Sequence, residues 1–350
     1  MICRSGSRGF CPLKSIKNHL KHALVSTGLL RLYGEHRPLR ISVLFYHGFR
    51  KTGLSGQAGG KDNFSPVELF ERHLQVILKY AHPASILDLL GERKIPRHAV
   101  IITLDDGYAN NYTLAFPLLR KYGLPATIFL TTGFIDRQTF LWTDWLEWVI
   151  TRADANKSLP AWGETKVPLR LESEIDRKQT MLNFKSYFKT LPISAIHSSL
   201  LELQDHLNCR YAWSDLPPSC QPLTWSQIRE MAACGLITFG SHTVSHPVLS
   251  RCSADVQRQE LQISKNRIEE ETGEPCVLFA YPNGTAEDYS VQTVEQLREI
   301  GYKLAVTTDP GYERADRFDP LRIRRWGADI SATDLAFILA GGADRHGRGD

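Results

Sequence analysis

No apolar run in this 350-residue sequence reaches the length of a membrane span, no C-x-x-C pair occurs, and the charges nearly cancel. The first absence excludes a transmembrane helix, which needs roughly 20 apolar residues. The seven cysteines, Cys3, Cys11, Cys209, Cys220, Cys234, Cys252 and Cys276, are odd in number and irregularly spaced. They suggest neither a disulfide framework nor a zinc knuckle, and the sequence predicts a reducing, cytoplasmic compartment. The formal charge of +4 comes from 42 basic and 38 acidic side chains, with the excess in the first 40 residues. No basic stripe interleaved with aromatics crosses the core, so nucleic acid is excluded as a partner. One further absence matters below: no histidine lies between His246 and His346.

The N-terminus carries basic residues ahead of the apolar run from Ala23 to Leu30. That run is short, broken by Ser26, Thr27 and Gly28, and lacks a small-x-small cleavage site, so it is not read as a signal peptide. Residues 1–40 are predicted to form a basic helical arm, with Lys14, Lys17, Lys21 and Arg31 near its polar side. Such an arm packs across the fold or makes a peripheral contact with the inner membrane face. The segment 342–350 is predicted to be a disordered tail.

From residue 41 the pattern alternates between strand and helix, which predicts a mainly parallel sheet with helices outside it. Strands are expected at 41–46, 99–104, 126–130, 237–240, 277–281 and 304–307. Ser65-Pro66-Val67-Glu68 and Thr224-Trp225-Ser226-Gln227 read as helix-capping boxes. Leu69, Phe70, Leu74, Ile77 and Leu78 form the stripe of the first helix. Gly123, Gly235, Gly273 and Gly301 stand where helices should end in the left-handed conformation. Residues 137–222 interrupt the alternation and are predicted to be a helical insertion that walls or covers the site. Its Trp142, Trp145 and Trp148 at helical spacing suit a core, while Trp142 and Asp144 are the candidates for a pocket wall. Periodicity alone fits both a (β/α) barrel and an open doubly wound sheet.

Three segments at predicted strand ends carry chemistry. Asp105-Asp106-Gly107 closes an apolar strand; two adjacent carboxylates there repel unless a cation or proton relieves them. His242 and His246 stand four apart, a spacing at which two imidazoles share one face of a helical turn and bind one ion. Pro247 disfavours helix at His246, so a single tight turn is expected. Two imidazoles and a carboxylate suit a divalent metal, zinc above all, with a position left open for water. Tyr281-Pro282-Asn283-Gly284 reads either as a Pro-initiated turn or as an oxyanion site made from turn N–H groups.

In order and local sequence these segments resemble the polysaccharide deacetylase family, carbohydrate esterase family 4, the nodulation-deacetylase homology domain. The resemblance runs from about Ile41 to about Gly341 and includes Phe45-Tyr46-His47 and the run from Asp319 to Arg325. It implies an α/β fold, a distorted (β/α) barrel with the helical insertion, in one domain over 41–341. It implies Asp106, His242 and His246 as metal ligands, Asp105 as general base and the Asn283 amide as oxyanion donor. The commonest family pattern carries an arginine two residues before Pro282, where this chain has Ala280; Arg325 or, failing it, Arg322 would replace it. Many members carry a late histidine as general acid, and this sequence has none outside the tail. His47, at the end of the first strand, takes that role, or else merely caps the strand.

The predicted function is metal-dependent removal of acetyl groups from N-acetylated sugars in a polysaccharide, oligosaccharide or glycolipid. Water attacks with Asp105 as base, and His47 protonates the leaving amine. The rivals are hydrolysis of a small ureide-like amide and non-catalytic glycan binding. A glycosidase is disfavoured, because its two acids must be spaced across a sugar and the His pair would lack a role.

Overall fold

The computed structural model describes residues 40–52, 63–91, 95–162 and 167–341. Almost all of the predicted N-terminal arm, the tail 342–350 and His346 lie outside the described residues. No helix among the described residues is long and apolar enough to cross a membrane.

The frame is a curled, mainly parallel sheet, with one short strand, Glu313–Arg314, antiparallel at an edge. Its strands are β1 (Arg40–Tyr46), β4 (His82–Pro83), β5 (Ala99–Leu104), β6 (Ala126–Leu130), β9 (Ile237–Ser241), β10 (Leu278–Ala280), β11 (Leu304–Val306), β12 (Glu313–Arg314) and β13 (Trp326–Gly327). The main order is β11-β10-β9-β6-β5-β1-β12, with β13 also on β1 and β4 on β5. A separate pair joins β2 (Gly48–Arg50) to β3 (Phe64–Pro66) in parallel. The expected strands are all present, because apolar runs buried on both faces suit parallel strands with helices outside. Every residue of β5 and β6 is buried.

One stretch of chain bridges the ends of this sheet. Ile323 pairs with Val306 beyond one edge, and Trp326 and Gly327 pair with Leu44 and Phe45 on β1. The result is a distorted barrel, joined there by two short contacts instead of a full strand. Alternation along the strands then sorts the side chains. Ile41, Val43, Ala99, Ile101, Phe129, Leu278, Ala280, Leu304, Val306 and Ile323 fill the interior as one apolar cluster. Their neighbours Leu44, Val100, Ile102, Ile128 and Phe279 face the helices in a second cluster.

The helices are α1 (Val67–Tyr80), α2 (Phe116–Tyr122), α3 (Thr132–Ile135), α4 (Trp142–Arg152), α5 (Glu174–Phe188), α6 (Ile193–Leu207), α7 (Trp225–Ala233), α8 (Ala254–Thr272), α9 (Val291–Ile300) and α10 (Ala332–Leu339). Gly123, Gly235, Gly273 and Gly301 all have positive φ at helix ends. The capping box at Thr224 forms as expected. The one at Ser65 does not: Ser65 lies in β3 opposite Phe49, and Glu68 instead accepts from the N–H and hydroxyl of Thr52. On α1, Phe70, Leu74 and Ile77 are buried, and the inner face also carries His73. Leu78, placed on the same stripe by the sequence pattern, is instead 47% exposed.

Between β6 and β9, which pair along five residues from Ala126↔Ile237 to Leu130↔Ser241, the chain makes a long excursion. It contains α4, α5, α6 and the antiparallel pair β7 (Leu159–Trp162) and β8 (Val167–Leu169). Trp142 and Trp145 are buried in its core.

Candidate active site

Along β5, residues 99, 101, 103 and 105 share the interior face. The Asp105 N–H extends the ladder by donating to the Tyr46 carbonyl at 2.9 Å, so its carboxylate enters the barrel mouth just above the apolar fill. A lone carboxylate there would be costly, and Arg325 compensates it. Both are buried; Arg325 Nη1 and Nη2 each donate to one Asp105 oxygen at 2.8 Å. Nη1 also reaches Thr103 Oγ1 at 3.0 Å, and Nε reaches the Thr307 carbonyl at 2.7 Å. The guanidinium carbon lies 4.7 Å from the Phe45 ring centre. Burial pushes the Asp105 carboxyl up, but Arg325, aided by His242, outweighs it and holds the group down at about 2. Asp105 is therefore an oriented carboxylate at neutral pH. Arg322, the other candidate for this role, is instead paired with Asp319 at 3.2 Å.

Asp106 takes a different direction because its backbone is left-handed, φ +73°, followed by Gly107 at +87°. A Cβ on Gly107 would come within 2.9 Å of Ile135 and 3.0 Å of Leu130, so the tight turn and the packing both require glycine. The turn aims the Asp106 carboxylate at the two imidazoles. His242 Nε2 is 3.6 Å and His246 Nε2 3.7 Å from Asp106 Oδ1. These are too long for good hydrogen bonds, and one donor atom from each residue lies within 4.8 Å of the others.

The His242 ring is fixed at its far side, where Nδ1 contacts the Ala280 carbonyl at 2.8 Å. A carbonyl only accepts, so Nδ1 carries a proton, and Nε2 is the ring atom that faces Asp106. Burial, with His242 beside it, lowers the His246 imidazole to about 4, so that ring is neutral at pH 7. Among the described residues its buried Nδ1 has no partner. Two imidazoles and a carboxylate, held apart yet converging, fit a divalent ion with tetrahedral preference.

The four-residue spacing works differently from a helical turn. No helix forms between His242 and His246; left-handed residues at Thr243 (φ +68°) and His246 (φ +56°) fold the loop. The rings sit 4.8 Å apart at 74°. Glu260 on α8 holds this loop, accepting from the Val244 N–H at 2.7 Å, the Ser245 N–H at 2.9 Å and the Ser245 hydroxyl at 2.6 Å. Sequence reasoning missed Glu260, since nothing local marks a carboxylate that acts across such a distance in the chain.

After β10 the chain turns through Asn283 (φ +61°) and Gly284 (φ +78°). A Cβ on Gly284 would meet the Thr308 backbone N at 3.0 Å. Thr308 also pins the turn by donating its hydroxyl to the Asn283 carbonyl at 2.7 Å. Because Ala280 already holds His242, this turn adjoins the candidate ligand set. Pro282 is buried within it. The Tyr281 side chain has a structural job instead of the expected substrate contact: it is 1% exposed, stacks on Tyr289 and donates its hydroxyl to the Leu321 carbonyl at 2.8 Å.

His47 is half-buried and directly follows β1. The expectation for Trp142 is corrected: at 0% exposure, edge-on to Phe188, it lines no open surface. Asp144, also buried, accepts from the Tyr108 hydroxyl at 3.1 Å through both oxygens. It borders a shallow recess with Trp148, Tyr211 and Pro217 on the excursion.

The sequence profile of one family, polysaccharide deacetylases, matches residues 92–305. YxkH of Bacillus subtilis (strain 168), named as a polysaccharide deacetylase, is 22% identical over 286 residues, which cover 80% of this chain and 69% of that one. Among solved structures, the Streptococcus pyogenes deacetylase PplD in complex with acetate shares the fold with a TM-score of 0.56 and 21% identity, over 85% of this chain and 97% of that one. A de-N-acetylase from Aggregatibacter actinomycetemcomitans does so with a TM-score of 0.54 and 15% identity, over 83% and 97%.

Proposed function

Starting from the fact that this chain belongs to the polysaccharide deacetylase family of enzymes, we propose that it removes acetyl groups from N-acetylated sugars of a polysaccharide, oligosaccharide or glycolipid, using a divalent metal, zinc by preference. The observation that carries this reading is the convergence of Asp106, His242 and His246 beside a second carboxylate that a buried arginine holds ionised and aimed.

Asp106, His242 and His246 would hold the ion. When bound, it supplies Lewis acidity, making water more acidic and the acetyl carbonyl more electrophilic. The remaining work falls to the chain. Asp105 takes a proton from the attacking water; Arg325 keeps its oxygens oriented throughout. The Asn283 backbone N–H donates to the oxygen on which negative charge develops. His47 gives a proton to the sugar nitrogen as the C–N bond breaks, and acetate and a free amine leave.

Metal analysis combined with acetate release from N-acetylhexosamine oligomers tests this reading. Wild-type protein should carry close to one equivalent of a divalent ion. His242→Ala, His246→Ala and Asp106→Ala should lose both metal and acetate release. Full metal occupancy in all three variants would sink the proposal.

A further inference from the structure

His47 stands where the backbone has no ladder of its own. β1 ends at Tyr46 within the barrel sheet, and β2 begins at Gly48 within a separate two-stranded sheet. Two consecutive side chains hold the chain on either side of this gap. Asn111 Nδ2 donates to the His47 carbonyl at 2.8 Å, and Asn110 Oδ1 accepts from the Phe49 N–H at 2.9 Å. Both asparagines are buried, at 0% and 2% exposure. In a regular α-helix successive side chains point about 100° apart. Here the chain instead opens into a wide π turn at Asn111–Ala115, a form found often at functional sites.

The amide orientation follows from its surroundings. Nδ2 faces two acceptors, the His47 carbonyl and, at 3.4 Å, Asn110 Oδ1. Asn111 Oδ1 is buried with no partner among the described residues. An unpaired buried carbonyl is destabilising, so stability alone does not explain an amide at this position. Other contacts restrict His47 further. The Phe45 ring packs edge-on against its imidazole at 5.8 Å, and a Cβ on Gly48 would fall 2.3 Å from the Phe64 ring. The segment 105–111 therefore carries the base, a metal ligand and the support for the acid in one loop.

We propose that Asn111, with Asn110 beside it, is a positioning residue that sets the direction in which His47 delivers its proton. The proposal rests on the reading of His47 as the general acid. A misplacement of about 1 Å can cost roughly 10²-fold in rate, so a clamp on the backbone of a proton donor has kinetic consequences.

The test is a double-mutant cycle with two substrates. Asn111→Ala should keep its metal and lower kcat on an N-acetylhexosamine oligomer by about 10–100-fold with KM changed by less than about 3-fold. On para-nitrophenyl acetate, whose leaving group departs as a stable anion without protonation, the loss should be less than about 3-fold. In a His47→Ala background the added Asn111→Ala should cost less than about 3-fold on the amide. Should Asn111→Ala not fold, Asn111→Asp keeps the shape, replaces the donor by an oxygen and takes its place in the cycle. Equal losses on both substrates, or an undiminished loss in the His47→Ala background, would overturn the clamp. So would a harmless Asn111→Ala beside an inactive His47→Ala. Full amide turnover in His47→Ala alone would overturn the acid assignment, and the clamp with it.

Discussion

The barrel mouth and the excursion between β6 and β9 both bury polar and aromatic side chains, and they hold them in contrasting ways. In the excursion, Trp145 Nε1 finds Gln204 and Trp148 Nε1 finds the Arg210 carbonyl, and both tryptophans lie on a helix with ordinary backbone. At the mouth, the backbone itself is strained. Asp106, Thr243, His246 and Asn283 account for four of the seven non-glycine residues with positive φ among the described residues. Each such conformation costs on the order of 1–3 kcal/mol and persists only where the surroundings impose it. The difference separates residues retained for packing from residues retained for chemistry.

The sharpest way to test that separation is Asp105→Asn. The amide keeps the shape and the metal ligands, yet cannot accept a proton, so turnover should fall by about 10²–10⁴-fold. Near-normal acetate release from a metal-replete variant would break the comparison at the mouth. In the excursion the complementary change is Trp142→Ala. It should destabilise by about 3–5 kcal/mol, seen as a lower urea midpoint, while kcat per folded molecule stays close to wild type. A folded variant that had lost turnover would place Trp142 with the chemistry after all.

The smallest expected effect concerns His73, a buried polar group behind β1. Its Nε2 contacts the Ile330 carbonyl and its Nδ1 the Tyr46 hydroxyl, both at 3.0 Å. The carbonyl must accept from Nε2–H, which leaves Nδ1 to accept from the tyrosine, so the ring is neutral. Burial lowers its pKa to about 4, below the unfolded value near 6.5. Its stabilising contribution is therefore complete above pH ~6.5 and lost as the pH falls towards 4, by at most about 3 kcal/mol. Urea midpoints of metal-free wild type and His73→Gln should diverge above that window and approach each other below it. A constant difference from pH 7 to pH 4 would contradict the assignment.

Much of the barrel was legible because buried parallel strands are written as short apolar runs and helix ends as glycines. The candidate ligands Asp106, His242 and His246 were legible as residue types at strand ends, but the geometry of their convergence was not. The His242–His246 spacing suggested a helical turn, whereas two left-handed residues make the loop. The last motif offers both Arg325 and Arg322, and period-two alternation from Ile323 favours Arg325 for the interior face. Ser65 looked like a helix cap because its strand is only three residues long. Glu260 and Asn111 were invisible for a different reason: they act on backbone groups 15 and 64 positions away, which leaves no local pattern to read.

The bridge from Ile323 to Gly327 also bears on when the enzyme becomes an enzyme. Asp105 and Arg325 are separated by 220 positions, so during synthesis the carboxylate leaves the ribosome long before its arginine. A molecule whose bridge has not docked has a base that is neither aimed nor held ionised by that charge. Long-range closures of this kind form slowly, and here the slow step also completes the catalytic group. On the proposed mechanism a partly assembled barrel, however many of its strands are paired, would lack an oriented base.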